Sequence, residues 1–150
     1  MIKKFSRLRA LSWPERQVVL EAMLLLPLFW GALWVIGFSR LHAWVARRPL
    51  AGSDPRAGIA PDTIGALIRG AGNHIPFRST CLTRSLLLVW LLRRRGVRSE
   101  LRIGVRQIDG GIDSHAWVEL DGRPVNEARG VRQRFAVFDQ TLSPKVGASR

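Results

Sequence analysis

A long stretch without a single charged residue, at positions 22–39, limits the possible folds of this chain more than any other feature. Its length falls near the lower end of the roughly 17 to 25 residues that a membrane-spanning helix needs. Basic residues flank it on both sides, so they select no orientation across a bilayer. Because Pro27 lacks an amide hydrogen, we expect it to break a helix near the middle of this stretch. The pattern predicts a kinked helix that packs on the rest of the domain or on a partner, with membrane association as the alternative.

The chain divides at a segment rich in turn-forming residues. Positions 51–61 concentrate Gly, Pro, Ser and Asp, which favour turns over continued helix. A capping-box pattern at Ser12 and Glu15 starts the helix that precedes this segment. A length of 150 residues fits one domain with a helical appendage. We therefore predict an N-terminal apolar helical segment at 1–50, a linker at 51–61 and the main domain at 62–150.

The net charge of +13 comes mainly from arginine and indicates an anionic partner, such as nucleic acid, phospholipid headgroups or an acidic peptide. No helix-turn-helix, zinc-finger or aromatic RNA-binding pattern accompanies this charge, so nucleic-acid binding is not predicted. The single cysteine excludes an internal disulfide and a cysteine-rich zinc site. No small-residue cleavage site follows the apolar stretch, which argues against a secretory signal. We predict a cytoplasmic protein, with membrane association as the alternative.

The second half of the chain combines helix and strand patterns. Asp62 is expected to cap a short helix, and Ser79 or Thr80 to cap a second helix that ends at Gly96. Alternating apolar and polar residues predict strands at 101–106 and 115–120, with a third strand at 123–127. A run of helices followed by neighbouring strands predicts an α+β fold with a small antiparallel sheet.

Cys81 falls in the first turn of the second helix, after a loop that contains Pro76. A thiolate in this position meets unpaired backbone amides and the positive end of the helix dipole, and both favour its charged, nucleophilic form. A buried, unreactive cysteine is the alternative for a lone thiol. The position makes Cys81 the candidate nucleophile.

His115 opens the strand at 115–120, and strand alternation puts Trp117 and Glu119 on the same face. A cysteine at a helix start that is followed by a strand histidine is the arrangement with which papain-like and transglutaminase-like folds assemble their ion pair. His115 is therefore the candidate base. Trp117 is interpreted as a core residue and Glu119 as the acceptor of a structural hydrogen bond.

A histidine base needs a third group that orients it, and Asp121 and Glu127 are the candidates. A three-residue hairpin loop at 120–122 places His115 opposite Glu127. A two-residue loop instead places Ala116 opposite Glu127 and turns the carboxylate to the wrong face. We choose Glu127 as the acid and interpret Asp121 as a turn residue.

These residues resemble a known family, the transglutaminase-like leader peptidases of lasso-peptide biosynthesis. The resemblance is strong over about residues 76–127. The segments that carry it are 81–86 (CLTRSL), 96–97 (GV), 101–105 (LRIGV), 115–119 (HAWVE), 121–122 (DG) and 126–127 (NE). It implies a papain/transglutaminase-like cysteine protease core in the domain at 62–150.

The resemblance also implies the reaction: a Cys-His-acid protease removes the leader of a ribosomally made precursor peptide, without a metal or another cofactor. It makes Cys81 the nucleophile and His115 the base. The acid is often an aspartate in this family, whereas this chain offers Glu127. One oxyanion donor is expected to be the Cys81 amide, and Asn73, His74 and Arg78 are available as the second.

The expected partners also follow from the resemblance. Positions 1–50 lack the strand pattern of the leader-recognition domain that precedes the protease in the fused form of the family. The chain is therefore similar to the split form, whose partners are the precursor peptide, a separate leader-recognition protein and an ATP-dependent cyclase. The basic surface and the apolar first helix are candidate docking faces for them.

Two other functions fit the same sequence. The first keeps the Cys81–His115 pair but transfers the acyl group to an amine on another peptide. The second is a basic, membrane-associated interaction protein with an unreactive thiol, which the charge and the apolar stretch at 22–39 suggest.

Overall fold

The computed structural model describes residues 11–52, 58–76 and 79–138. Five helices lie in these ranges: α1 Trp13–Val35, α2 Phe38–Arg47, α3 Pro61–Gly72, α4 Cys81–Arg93 and α5 Val131–Arg134. The same ranges contain four strands: β1 Glu100–Ile108, β2 Gly111–Leu120, β3 Arg123–Pro124 and β4 Ala136–Val137. Helices on a small antiparallel sheet confirm the predicted α+β fold.

Helix α1 begins where the capping-box pattern predicts, because the Glu15 carboxylate accepts a hydrogen bond from the Ser12 amide at 2.7 Å. The predicted break at Pro27 is wrong, since the helix continues through this residue to Val35. Buried Leu26 and Phe29 pack into the core on either side of Pro27 and hold this part of the helix. The chain breaks instead at Gly37, whose φ of 80° is readily adopted only by glycine.

One face of α1 packs against α3 and α4 in the main core of the molecule, where Val18, Ala22 and Leu26 are fully buried. The opposite face exposes Leu20, Leu24 and other large apolar side chains. By length and composition alone, α1 could cross a membrane. The core helix of a soluble protein can meet the same two criteria. The predicted packing on the rest of the domain is therefore present along one face only.

The two helices that flank the site begin differently from each other. Pro61 is the first residue of α3, and Ala60 is the cap, so the prediction that Asp62 is the cap is wrong. Proline favours this first position because its missing amide hydrogen has no helical partner there. Thr80 caps α4, and its hydroxyl accepts from the Thr83 amide at 3.2 Å.

The sheet has the strand order β3-β2-β1-β4 and is antiparallel throughout. Strand β2 begins at Gly111, so the prediction that His115 opens the strand is wrong: His115 lies inside it, opposite Gly104. Strand β3 is shorter than the predicted 123–127. Val118 belongs to the main core beneath the helices, whereas Trp117 joins a second cluster on the opposite face of β2.

The division into a helical segment at 1–50, a linker at 51–61 and a domain at 62–150 stays a prediction. Residues 53–57 of that linker lie outside the described residues. The described part of the linker is tied to the domain, because the Ala51 amide donates to the Arg93 carbonyl at 3.1 Å.

Candidate active site

Cys81 is the first residue of α4 and is partly buried. The Thr80 cap explains this position, because its hydroxyl satisfies one first-turn amide and ends the preceding loop. Other amides of the first turn have no acceptor within the helix. The thiol therefore lies at the positive end of the helix dipole, the surroundings that the sequence predicts.

His115 and Glu127 form a direct contact. The distance between His115 Nε2 and Glu127 Oε1 is 3.0 Å, and both side chains are about a quarter exposed. A carboxylate in this position can hold the ring in one orientation and stabilise its protonated form.

The hairpin register behind this contact differs from the predicted one. Leu120 pairs with Arg123, so the loop consists of Asp121 and Gly122 alone, both with positive φ. This is the two-residue loop, and not the three-residue loop on which the choice of Glu127 was based. Asp121 is a turn residue, as interpreted from the sequence, and its φ of 47° is a conformation that Asp tolerates better than most residues.

Glu127 reaches His115 because the chain stops pairing with β2 shortly before Glu127. The last ladder bond joins the Val125 amide to the Val118 carbonyl at 3.0 Å. The next bond is made by a side chain, since Asn126 Oδ1 accepts from the Val118 amide at 2.8 Å. Outside the ladder, strand alternation no longer dictates which way Glu127 points. The predicted partner of His115 is therefore present without the predicted register.

One small cleft of about 70 Å³ brings the three predicted residues together, since Cys81, His115 and Glu127 all line it. Its remaining walls come from α3, α4, β2 and the segment after β3: Gly65, Ile68, Arg69, Arg84, Leu88, Ala116 and Asn126. The cleft thus places a thiol, an imidazole and a carboxylate beside two guanidinium groups.

Aromatic rings fix the plane of the His115 ring. His115 stacks with Phe135 at a centroid distance of 5.3 Å and with Trp117 at 6.2 Å. Trp117 is fully buried, in agreement with its interpretation as a core residue. Phe135 could not be identified from the sequence, because the residues around it follow neither a helical nor a strand period.

Glu119 supports this aromatic cluster from the same face of β2. Its buried carboxylate accepts from Trp117 Nε1 at 2.8 Å and from the Arg132 guanidinium, with Arg102 Nε at 3.3 Å. Burial raises the pKa of Glu119, but the hydrogen bonds from Arg132 and Trp117 and the charges of Arg132 and Arg102 outweigh it. The net pKa lies below the ordinary value of a glutamate. Glu119 thus has the structural role that its position predicts.

The candidates for a second oxyanion donor lie apart from the cleft or outside the described residues. Asn73 and His74 are absent from its walls, and His74 Nδ1 contacts the Gly70 carbonyl at 2.7 Å. Arg78 lies outside the described residues.

Within the described ranges, no group of three or more His, Cys, Asp or Glu side chains could hold a metal ion.

The chain is similar to a known family and to a protein of known processing role. The sequence profile of the Transglutaminase-like superfamily matches residues 22–139. The microcin J25-processing protein McjB of Escherichia coli is 39% identical over 62 residues, which cover 41% of this chain and 29% of McjB. The match thus spans less than a third of that relative's length. No solved structure matches this chain.

Proposed function

Because this chain belongs to the transglutaminase-like superfamily, we propose that it is a cysteine peptidase that removes the leader from a ribosomally made lasso-peptide precursor. The observation that carries the proposal is the cleft lined by Cys81 together with the His115–Glu127 pair. The similarity to a protein named for the processing of microcin J25 supports a peptide as the substrate.

In the proposed reaction, His115 takes the proton of the Cys81 thiol, and Cys81 Sγ attacks the carbonyl carbon of the last leader residue to form a tetrahedral intermediate. The C–N bond then breaks, and His115 donates a proton to the departing amine of the mature peptide. Water, deprotonated by His115, attacks the thioester, and the C–S bond breaks to release the leader as a carboxylate. Glu127 holds the His115 ring and stabilises its protonated form in both steps. The Cys81 backbone amide donates to the oxyanion.

Cleavage of a synthetic precursor peptide tests this proposal. We expect Cys81→Ala and His115→Ala each to lower kcat at least about a thousandfold, because each removes a group that takes part in bond breaking. Mass spectrometry of the products and circular dichroism of each variant are the measurements. Undiminished cleavage by either folded variant contradicts the proposal.

Asp121→Asn is the matched control for the acid. Asn tolerates the positive φ of this turn position, so the fold is kept while the carboxylate is lost. We expect Asp121→Asn to cleave at the wild-type rate and Glu127→Gln to lose most of kcat. The opposite result assigns the acid to Asp121 and refutes the role of Glu127.

We further propose that the protein acts in the cytoplasm with three partners: the precursor, a separate leader-recognition protein and the ATP-dependent cyclase. The exposed apolar face of α1 and the positive charge support such docking. Cleavage rates with and without each purified partner test this. Association with anionic vesicles in the absence of any protein partner would instead favour the membrane surface.

Acyl transfer to an amine is the second candidate function, because the superfamily is named for that chemistry. In this reaction an amine replaces water in the attack on the thioester, and the product keeps the added mass. Product mass spectra recorded with an added primary amine separate the two reactions. An unreactive Cys81 would exclude both and favour the non-catalytic interaction protein.

A further inference from the structure

Two side chains form hydrogen bonds with the backbone of β2 beyond the end of β3. Asn126 Oδ1 accepts from the Val118 amide at 2.8 Å, and Ser85 Oγ donates to the Ala116 carbonyl at 3.1 Å. Val118 and Ala116 are alternate residues of β2, so a longer β3 would have bonded both of these backbone groups. Side chains from the segment after β3 and from α4 replace that missing strand.

Ser85 and Asn126 are also bonded to each other, since Asn126 Nδ2 donates to Ser85 Oγ at 3.1 Å. Ser85 is fully buried, and its hydroxyl both donates and accepts. In such surroundings a lost hydrogen bond is not replaced by water, so these bonds resist breaking. We call this pair the Ser85–Asn126 bridge.

The bridge joins the three chain segments that carry the proposed triad. Ser85 lies one helical turn after Cys81, on the same side of α4. Ala116, to which Ser85 donates, follows His115 in β2. Asn126 precedes Glu127. A shift of the bridge therefore moves the thiol, the imidazole and the carboxylate relative to one another.

We propose that Ser85 and Asn126 are positioning residues, which hold Cys81, His115 and Glu127 in register. This inference rests on the proposed peptidase function. Its physical basis is that a displacement of about 1 Å between reacting groups can lower a rate about a hundredfold. The backbone hydrogen bonds of the sheet cannot hold the three residues in register alone, because β3 ends before the segment that carries Glu127.

Leader cleavage by bridge variants tests the proposal. We expect Ser85→Ala to lower kcat at least about tenfold while KM changes less than about twofold, because substrate contacts are kept. Asn126→Asp keeps the acceptor for the Val118 amide but loses the donor to Ser85, so a comparable loss is expected. Ser85→Thr keeps the hydroxyl and is expected to recover much of kcat.

Ser99→Ala is the matched control, because Ser99 is also a buried serine but makes neither of the hydrogen bonds of the bridge. All variants are measured below their unfolding temperatures, so that a loss of folded protein does not imitate a loss of kcat. Wild-type kcat in Ser85→Ala overturns the proposal. An equal loss of kcat in Ser99→Ala also overturns it, because the effect would then come from any buried serine.

A second measurement separates this proposal from the proposed function. Iodoacetamide alkylates Cys81 by a direct reaction that needs no precursor. If the wild-type protein cleaves no precursor, the peptidase proposal fails, and the alkylation rate still reports on the bridge. We expect Ser85→Ala to slow or speed alkylation at least about threefold relative to Ser99→Ala. Equal alkylation rates in these two variants overturn the positioning role.

Discussion

His115 is held by contacts of two kinds. Its Nε2 atom contacts the Glu127 carboxylate, and its ring stacks with Phe135 and Trp117. Trp117 is in turn fixed by its hydrogen bond to the buried Glu119. The orientation of His115 therefore depends also on the Glu119 carboxylate, which lies outside the cleft.

Glu119→Gln is expected to lower the free energy of unfolding by about 1–3 kcal/mol at neutral pH, because the buried side chain loses its charge-assisted hydrogen bonds from Arg132 and Arg102. The folded pKa of Glu119 lies below its ordinary value of 4.5. Its stabilising contribution is thus fully present above about pH 4.5 and is lost as the pH falls through the folded pKa. Urea unfolding, followed by tryptophan fluorescence at several pH values, measures both effects.

Glu100→Gln provides the control for this prediction, because Glu100 pairs with the same Arg102 but is largely exposed. We expect this variant to change the free energy of unfolding by less than about 1 kcal/mol. If acidification destabilises the wild type and Glu119→Gln equally, the Glu119 carboxylate does not contribute the predicted pH-dependent stability.

Helix α3 forms one wall of the cleft and packs closely on the segment that carries Glu127. A Cβ atom added at Gly65 would lie 3.0 Å from Asn126 Cβ and 3.2 Å from the Val125 carbonyl oxygen. These contacts involve backbone and a short side chain, so little space can be gained by rotation of a side chain. The glycine therefore allows α3 to approach the turn after β3.

We expect Gly65→Ala to lower the free energy of unfolding by about 1–3 kcal/mol, because α3 and the Asn126 segment must move apart. Gly70→Ala is its matched control in the same helix, since an added Cβ there meets nothing within 4 Å. This control should stabilise the protein by about 0.5–1 kcal/mol through higher helix propensity. Thermal unfolding of both variants is the measurement, and a stabilising Gly65→Ala would contradict the packing argument.

The elements show why parts of the fold could be predicted and parts could not. Cys81 was correctly placed in the first turn of α4, and Thr80 is one of the two predicted caps, because capping depends on a few neighbouring residues. Glu127 was chosen from a register that the structure does not have. The actual path of the chain to Glu127 depends on Ser85 and Asn126, which lie far apart in sequence. Their hydrogen bonds take the place of the last part of the strand that periodicity predicted at 123–127. Long-range side-chain bonds of this kind leave no local pattern.

Helix α1 shares one core with the elements that line the cleft. Its buried face packs with α3 and α4, and the superfamily profile begins within it, at residue 22. The uncharged stretch correctly predicted a helix but not its limits, because the helix runs unbroken through Pro27, ends at Val35 and is followed by Gly37 with its positive φ. Burial of one face holds Pro27 inside a helix, and propensity alone does not predict this.

We propose that the fold makes Cys81 and His115 work as one pair, although they come from separate elements. The rate at which iodoacetamide alkylates Cys81 in the folded protein, compared between His115→Ala and His74→Ala, measures this coupling. We expect His115→Ala to lower the rate at least about tenfold at neutral pH, because the thiol loses its base. His74→Ala should keep the wild-type rate, since His74 does not line the cleft. Equal rates in the wild type and both variants would contradict the claim.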